Sequence, residues 1–230
     1  MRADNGPRLS YSESLKEIKE FGEKIARSLE GGEMTRPNHP SGDLYHPDLE
    51  AFSEVKTSMT SAGPIICEEQ LRRHYEDCEQ FDRQYIFVMY EGREWRKGKY
   101  HYLPIRMGRR GQNVLRRFLV WKLRKVYVLH VSVIWAIYEY YRRQGSIQEY
   151  MMQRGLKRYI KVPDADLKRI ANDIEALSQY GLSTADYTLN RRLEMARFRQ
   201  FKVPTEVVRI TCTKSLDDSF DVGALEVTGA

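Results

Sequence analysis

The apolar positions change their spacing several times along the chain, and each change predicts an element. Leu15, Ile18, Ile25 and Leu29 recur at helical intervals among nearly equal numbers of Glu and Lys. That spacing predicts an amphipathic helix over residues 10–30, with Ser10 or Ser12 as N-cap and Gly31-Gly32 as the stop. Residues 33–64 have no such period. Pro37, Pro40, Pro47 and Pro64, with Gly42 and Gly63, predict an extended arm without regular structure. Leu71, Tyr75, Cys78 and Phe81 then form one stripe opposite Arg72, Arg73, Glu76 and Asp77, which predicts a helix over 67–81. The continuous apolar run 85–90 reads either as a short buried strand or as the last turns of that helix, and periodicity does not choose between them.

The chain is organised around residues 106–143. Eight cations (Arg106, Arg109, Arg110, Arg116, Arg117, Lys122, Arg124, Lys125) lead into its most apolar run, 126–138, and Arg142 and Arg143 close it. No Pro or Gly follows Gly111 until Gly145, so one long helix is predicted from near Gln112 to Arg143. The β-branched residues Val126, Val128, Val131, Val133 and Ile134 are the argument for a strand. A membrane-spanning helix needs roughly 20 apolar residues, and 126–138 supplies thirteen. Three readings stay open: a short span with Trp121, Tyr127, Tyr138, Tyr140 and Tyr141 at its interfaces, a helix docked on a membrane surface, and a buried core helix. Each makes Val128, Val131, Ile134 and Trp135 buried or membrane-facing. Each also sets the cations beside lipid headgroups or an acidic subunit, where one is worth about 1 kcal/mol near an anionic surface.

Beyond Gly145, helices are predicted over 147–159, 164–180 and 184–202, delimited by Pro163, Gly181 and Pro204, with one short strand over 207–213. The fold class expected is therefore mainly α: an N-terminal amphipathic helix and extended arm (1–63), a helix with an aromatic and basic segment (64–105), a long central basic-then-apolar helix (106–144), a helical C-terminal domain (145–205) and a terminal arm (206–230).

Charge adds a partner class. With 38 Lys and Arg against 32 Asp and Glu, the net charge of +6 suits an anionic surface such as acidic lipid, nucleic acid or an acidic protein face. Three cysteines without a C-x-x-C pair point to a reducing compartment. The N-terminal residues lack the apolar core of a secretory signal. His74 and Cys78 stand four apart, the spacing of half a metal site, but Cys78 belongs to the apolar stripe and reads better as a small buried hydrophobe. His130, alone in an apolar run, reads as a core residue. No P-loop, dinucleotide fingerprint, nucleophile elbow or H-E-x-x-H occurs. The expectation is thus a non-catalytic chain without metal or cofactor.

A resemblance covers residues 150–204. Tyr150, the run Gly155-Leu156-Lys157-Arg158, Asp164-x-Asp166-Leu167-Lys168-x-x-Ala171, Asp186-Tyr187-x-x-x-Arg191-Arg192-Leu193 and Phe198-x-x-Phe201-Lys202-Val203-Pro204 occur in that order. The series resembles the ubiquinol–cytochrome c reductase binding protein family, the small matrix-side subunit of respiratory complex III. The resemblance implies an accessory subunit at the mitochondrial inner membrane, on the matrix side, whose partners are the other subunits of a large membrane complex and anionic lipid. Arg191, Arg192 and Arg197 would lie on a basic helix facing acidic partners. An accessory subunit of complex I or of the ATP synthase is an alternative. So is a mitochondrial ribosomal or other RNA-binding protein, which makes nucleic acid the second-choice partner.

Overall fold

The computed structural model describes residues 11–37, 39–59, 63–103, 112–146, 149–151, 158–198 and 201–214. Helix α1 (Tyr11–Glu30) precedes β1 (Glu33–Met34), β2 (Leu44–His46) and β3 (Ala51–Met59). Next come β4 (Ile65–Cys67), α2 (Glu68–Glu76), the long strands β5 (Asp82–Leu103) and β6 (Gln112–His130), and α3 (Val131–Arg143). The chain continues through β7 (Glu149–Met151), β8 (Arg158–Lys161), α4 (Asp164–Asn172), β9 (Tyr187–Phe198) and β10 (Phe201–Cys212). Seven strands make one mixed sheet in the order β1-β2-β3-β5-β6-β10-β9, and β4-β8-β7 make a small second sheet. The fold is α/β, which corrects the mainly α expectation.

The reason lies in the two central strands. Tyr85, Phe87 and Met89 of β5 join Tyr127 and Leu129 of β6 in a core beneath α2, α3 and α4. Ile86, Val88 and Tyr90 join Val126 and Val128 in a second core with Phe21, Ile25 and Ala26 of α1. A strand covered on both faces carries an unbroken apolar run rather than an alternating one. Residues 85–90 and 126–129 are such runs, so helical periodicity cannot be read from them.

The long central helix expected over 112–143 is two elements. Its β-branched first part is strand β6, paired antiparallel to β5 from Gln84↔His130 outward. At His130 the chain turns into α3, where the imidazole accepts a hydrogen bond from the Ser132 N–H as N-cap. Val131, Val133, Ile134, Ala136, Ile137 and Tyr138 face the core, and Trp135, partly buried, stacks on Tyr75 at 4.9 Å. Val128, Val131 and Ile134 are covered by the protein itself. Among the described residues no helix is long and apolar enough to cross a membrane.

Three further expectations are corrected. The supposed arm over 33–64 contributes the whole of β1, β2 and β3, three adjacent strands of the large sheet. Residues 149–151 and 158–161 are strands rather than parts of a helix. The basic helix expected over 184–202 is instead strand β9 and the start of β10, paired from Cys212↔Tyr187 to Phe201↔Phe198.

Candidate active site

The pairing of β2 with β3 stops early, and that makes a notch at the sheet's edge. β2 is three residues long and pairs Leu44 with Ser53 and His46 with Ala51. The Asp43 N–H still donates to the Ser53 carbonyl at 2.8 Å, and then the chain leaves. Gly42 makes this departure possible: its φ is +141°, and a Cβ there would lie 2.7 Å from the Ser53 carbonyl oxygen. Beyond Ser53, β3 runs on for six residues against β5 alone, parallel, with Glu54 opposite Tyr85 and Lys56 opposite Phe87. The Asp43 carboxylate fills the gap left by β2, its Oδ2 accepting from the Val55 N–H at 3.0 Å. A strand residue turns its N–H and C=O to the same edge, so the Val55 carbonyl faces that gap too.

Alternation along β3 separates the side chains. Val55 packs in the α1-side core. Glu54 and Lys56 share the other face, where Lys56 donates to the Glu54 carboxylate and its Nζ lies 3.5 Å from Gln70 Oε1 on α2. The Glu54 side chain is only 6% exposed and that of Asp43 18%, which is unusual for carboxylates without an arginine partner. Helix α1 adds Glu23 and Lys19 at the rim: Lys19 Nζ is 3.4 Å from Glu23 and 3.8 Å from Asp43. The helix comes this close because Gly22 lies directly over Thr57, where any Cβ would overlap Oγ1.

Electrostatics matches the geometry. Burial, then the neighbouring Glu54 charge, pushes the Asp43 carboxyl above its ordinary range, against the Val55 N–H, Lys56 and Lys19. Burial likewise raises Glu23, with Lys19 opposing. Burial alone would lower Lys19, yet Asp43 and Glu23 together raise it. Two acids are thus held close together in a partly desolvated notch, a state that a cation relieves.

The loop before Asp43 is fastened at three successive carbonyls. His74 Nε2 donates to Pro40 O at 3.0 Å, Arg83 Nη1 donates to Ser41 O at 2.6 Å, and Thr35 Oγ1 donates to Gly42 O at 2.6 Å. The Tyr85 hydroxyl donates to His74 Nδ1 at 3.1 Å. Burial, helped by the Arg83 charge, pushes the His74 pKa down to about 4 and keeps the ring neutral. Arg83 also lies 4.7 Å over the Phe52 ring. His74 is therefore a buried fastening, both ring nitrogens engaged by Pro40 and Tyr85. Among the described residues no three His, Cys, Asp or Glu side chains converge as a ready-made metal cage.

The residues expected to carry function lie elsewhere. Arg106, Arg109 and Arg110 fall outside the described residues. Arg116, Arg117 and Lys122 are on the outer part of β6, where Arg117 pairs in register with Lys97. Arg124 forms an ion pair with Glu91. Lys125 and Arg191 converge on Glu206, at 3.1 Å and 2.6 Å. The Arg192 Nε donates to Asn190 at 3.1 Å, and Arg197 is fixed through its backbone N–H to Ser28. Of those whose side chains the structure describes, Arg124, Lys125, Arg191, Arg192 and Arg197, none joins the notch. The sequence reading passed over Asp43, Glu54 and Lys56, whose signal is an acid eleven residues ahead of Glu-x-Lys, the two-residue spacing that puts Glu and Lys on one face of a strand. No protein-family model, curated protein or solved structure matches the chain.

Proposed function

We propose that this protein is a metal-dependent phosphodiesterase acting on nucleic acid, with Asp43, Glu54 and Lys56 as its reactive set. The observation that carries the reading is the notch: two nearly buried carboxylates and an ammonium gathered where β2 stops short of β3. Mg²⁺ is held by one or two carboxylates plus substrate phosphate oxygens rather than by an all-protein cage, and Asp43, Glu54 and the Val55 carbonyl supply oxygen donors of that kind. When bound, such an ion neutralises phosphate charge and acidifies a coordinated water.

The chain's own residues account for the rest. Lys56 places a positive charge beside the position of the attacking water and of the oxygens that gain charge as phosphorus becomes five-coordinate. Gln70 fixes the ammonium's direction from α2. Water's oxygen forms the new P–O bond, the ester P–O bond breaks, and the proton lost by water balances the one gained by the leaving alkoxide. Glu23 and Lys19, at the mouth, border the path of the strand. The resemblance behind the accessory-subunit reading covers residues 150–204, and it placed Arg191, Arg192 and Arg197 on a helix that is a strand.

The test is cleavage of duplex and single-stranded DNA by the purified protein in Mg²⁺ or Mn²⁺. Asp43→Asn, Glu54→Gln and Lys56→Met, each shown to be folded, are expected to lose at least about 100-fold in rate. Cleavage by the variants at the parent's rate, or none by the parent with either ion, refutes the proposal.

A further inference from the structure

Resting on the reading above, we infer that the outer β5–β6 hairpin is a DNA-gripping arm that enters the major groove of B-form duplex. β3 accompanies β5 only as far as Tyr90, and β10 accompanies β6 only over 125–129. Past these points, among the described residues, 93–103 and 112–121 pair with each other alone, from Arg93↔Trp121 to Leu103↔Gln112. Eleven residues at about 3.3 Å each give a ribbon of about 36 Å, close to one turn of B-DNA. Register shifts at Tyr90/Arg93 and Lys97/Tyr100 break the ladder, and such bulges increase the twist of a ribbon.

Charge identifies the occupant. Over 91–103 and 112–124, outside the Glu91–Arg124 ion pair, the ribbon contains Arg93, Arg96, Lys97, Lys99, Arg116, Arg117 and Lys122 against Glu94 alone. That is a net +6, the net charge of the entire chain, so the remaining residues sum to neutrality. The register places Arg93, Lys97 and Arg117 on one face and Arg96 on the other. An element that lies on a lipid surface segregates its apolar and cationic faces; cations on both faces suit a ribbon standing between two walls of phosphate. The B-form major groove admits a two-stranded ribbon, whereas that of A-form RNA is too narrow and deep. Arg93 stands six residues, about 20 Å, along β5 from Phe87, the register partner of Lys56. Ribbon and notch thus share one strand direction.

The test is fluorescence anisotropy with a labelled duplex of about 30 bp in EDTA, across a salt series, so that binding is read without turnover. Replacing Arg93, Lys97, Arg116 and Arg117 together by Gln is expected to weaken binding at least about 100-fold and to flatten the log–log salt slope by up to about 3.6, at about 0.9 per phosphate contact. Arg116→Gln/Arg117→Gln alone is expected to remove about half of that slope change, and it decides the matter where the fourfold variant does not fold. Parent-like affinity and slope in the variants overturn the inference, as does parent binding to duplex RNA or phosphatidylserine vesicles as tight as to DNA. Ribbon-dependent binding by a parent that hydrolyses nothing leaves this inference standing and removes the phosphodiesterase reading. Cleavage that is indifferent to the ribbon does the reverse.

Discussion

The two halves of the large sheet are built alike and finished differently. Each has a strand lying parallel to the central hairpin, β3 beside β5 and β10 beside β6, and each has an outer antiparallel strand. In the second half β9 covers β10 over twelve residues, and the acid on that surface, Glu206, lies between Lys125 and Arg191. Burial would raise Glu206, but the two cations hold it below its usual range. In the first half β2 covers three residues of β3, and Asp43 is raised by burial and by Glu54. A closed ladder with matched charge holds structure together; the open one leaves crowded acids at its edge, the arrangement on which the phosphodiesterase proposal rests.

Closing the open half by force is expected to have the largest effect on stability. Gly42→Ala puts a Cβ against the Ser53 carbonyl at a φ of +141°. Left-handed strain and overpacking each cost about 2 kcal/mol, so a loss of about 4 kcal/mol is expected in denaturant unfolding. Cleavage should fall as well, since Asp43 follows directly. Full stability in that variant would show that β2 can leave β3 by another route.

The same contrast governs what the sequence disclosed. Helix α1 was legible because its Ile25 and Leu29 stripe faces one core while Lys19, Glu20 and Lys24 are exposed. The central strands were not, because two-sided burial erases the period of two that marks a strand. Strand β9 and the start of β10 were mistaken for a helix because Leu189, Leu193 and Phe198 fall at intervals near four, whereas the strand expected over 207–213 is the second part of β10; Leu193 is in fact 74% exposed. The notch was hidden for a different reason. Asp43 and Glu54 are eleven residues apart across the turn at Pro47–Leu49, and only the β2–β3 register places them together. The basic stretch reads as part of one long helix and its pairing partner, 93–103, only as an aromatic and basic segment, so the hairpin they form was not legible.

Acid sharpens the contrast from the fastening side. His74 is pushed down to about 4 from the usual 6.5. Between those values the unfolded chain binds a proton that the folded chain refuses, so the stability present above pH 6.5 is lost as pH falls towards 4, by up to about 3 kcal/mol. Protonation also places a donor on Nδ1, where the Tyr85 hydroxyl already donates. Unfolding curves at pH 7 and 4.5 should show this loss in the parent and a smaller one in His74→Gln, whose amide can donate to Pro40 and accept from Tyr85. Equal losses in both would assign the acid sensitivity to other groups.

The smallest effect separates the two acids most cleanly. Glu206 is 31% exposed and lies beside Lys125 at 3.1 Å and Arg191 at 2.6 Å, so Glu206→Gln removes a half-exposed pair of contacts worth about 0.5–1 kcal/mol. Its folded pKa is depressed, so that contribution exists at neutral pH and disappears as pH falls through the carboxylate range. Glu54→Gln acts in the opposite sense: it removes a buried charge crowded against Asp43, and stability at pH 7 is expected to hold or rise. Paired measurements of unfolding and of Mg²⁺-dependent cleavage should therefore give one variant that is slightly less stable and fully active, and one that is no less stable and inactive. If Glu54→Gln proves the more destabilised of the two, the Glu54–Lys56 contact is a structural ion pair like that of Glu206, and the first half of the sheet loses its claim to be different.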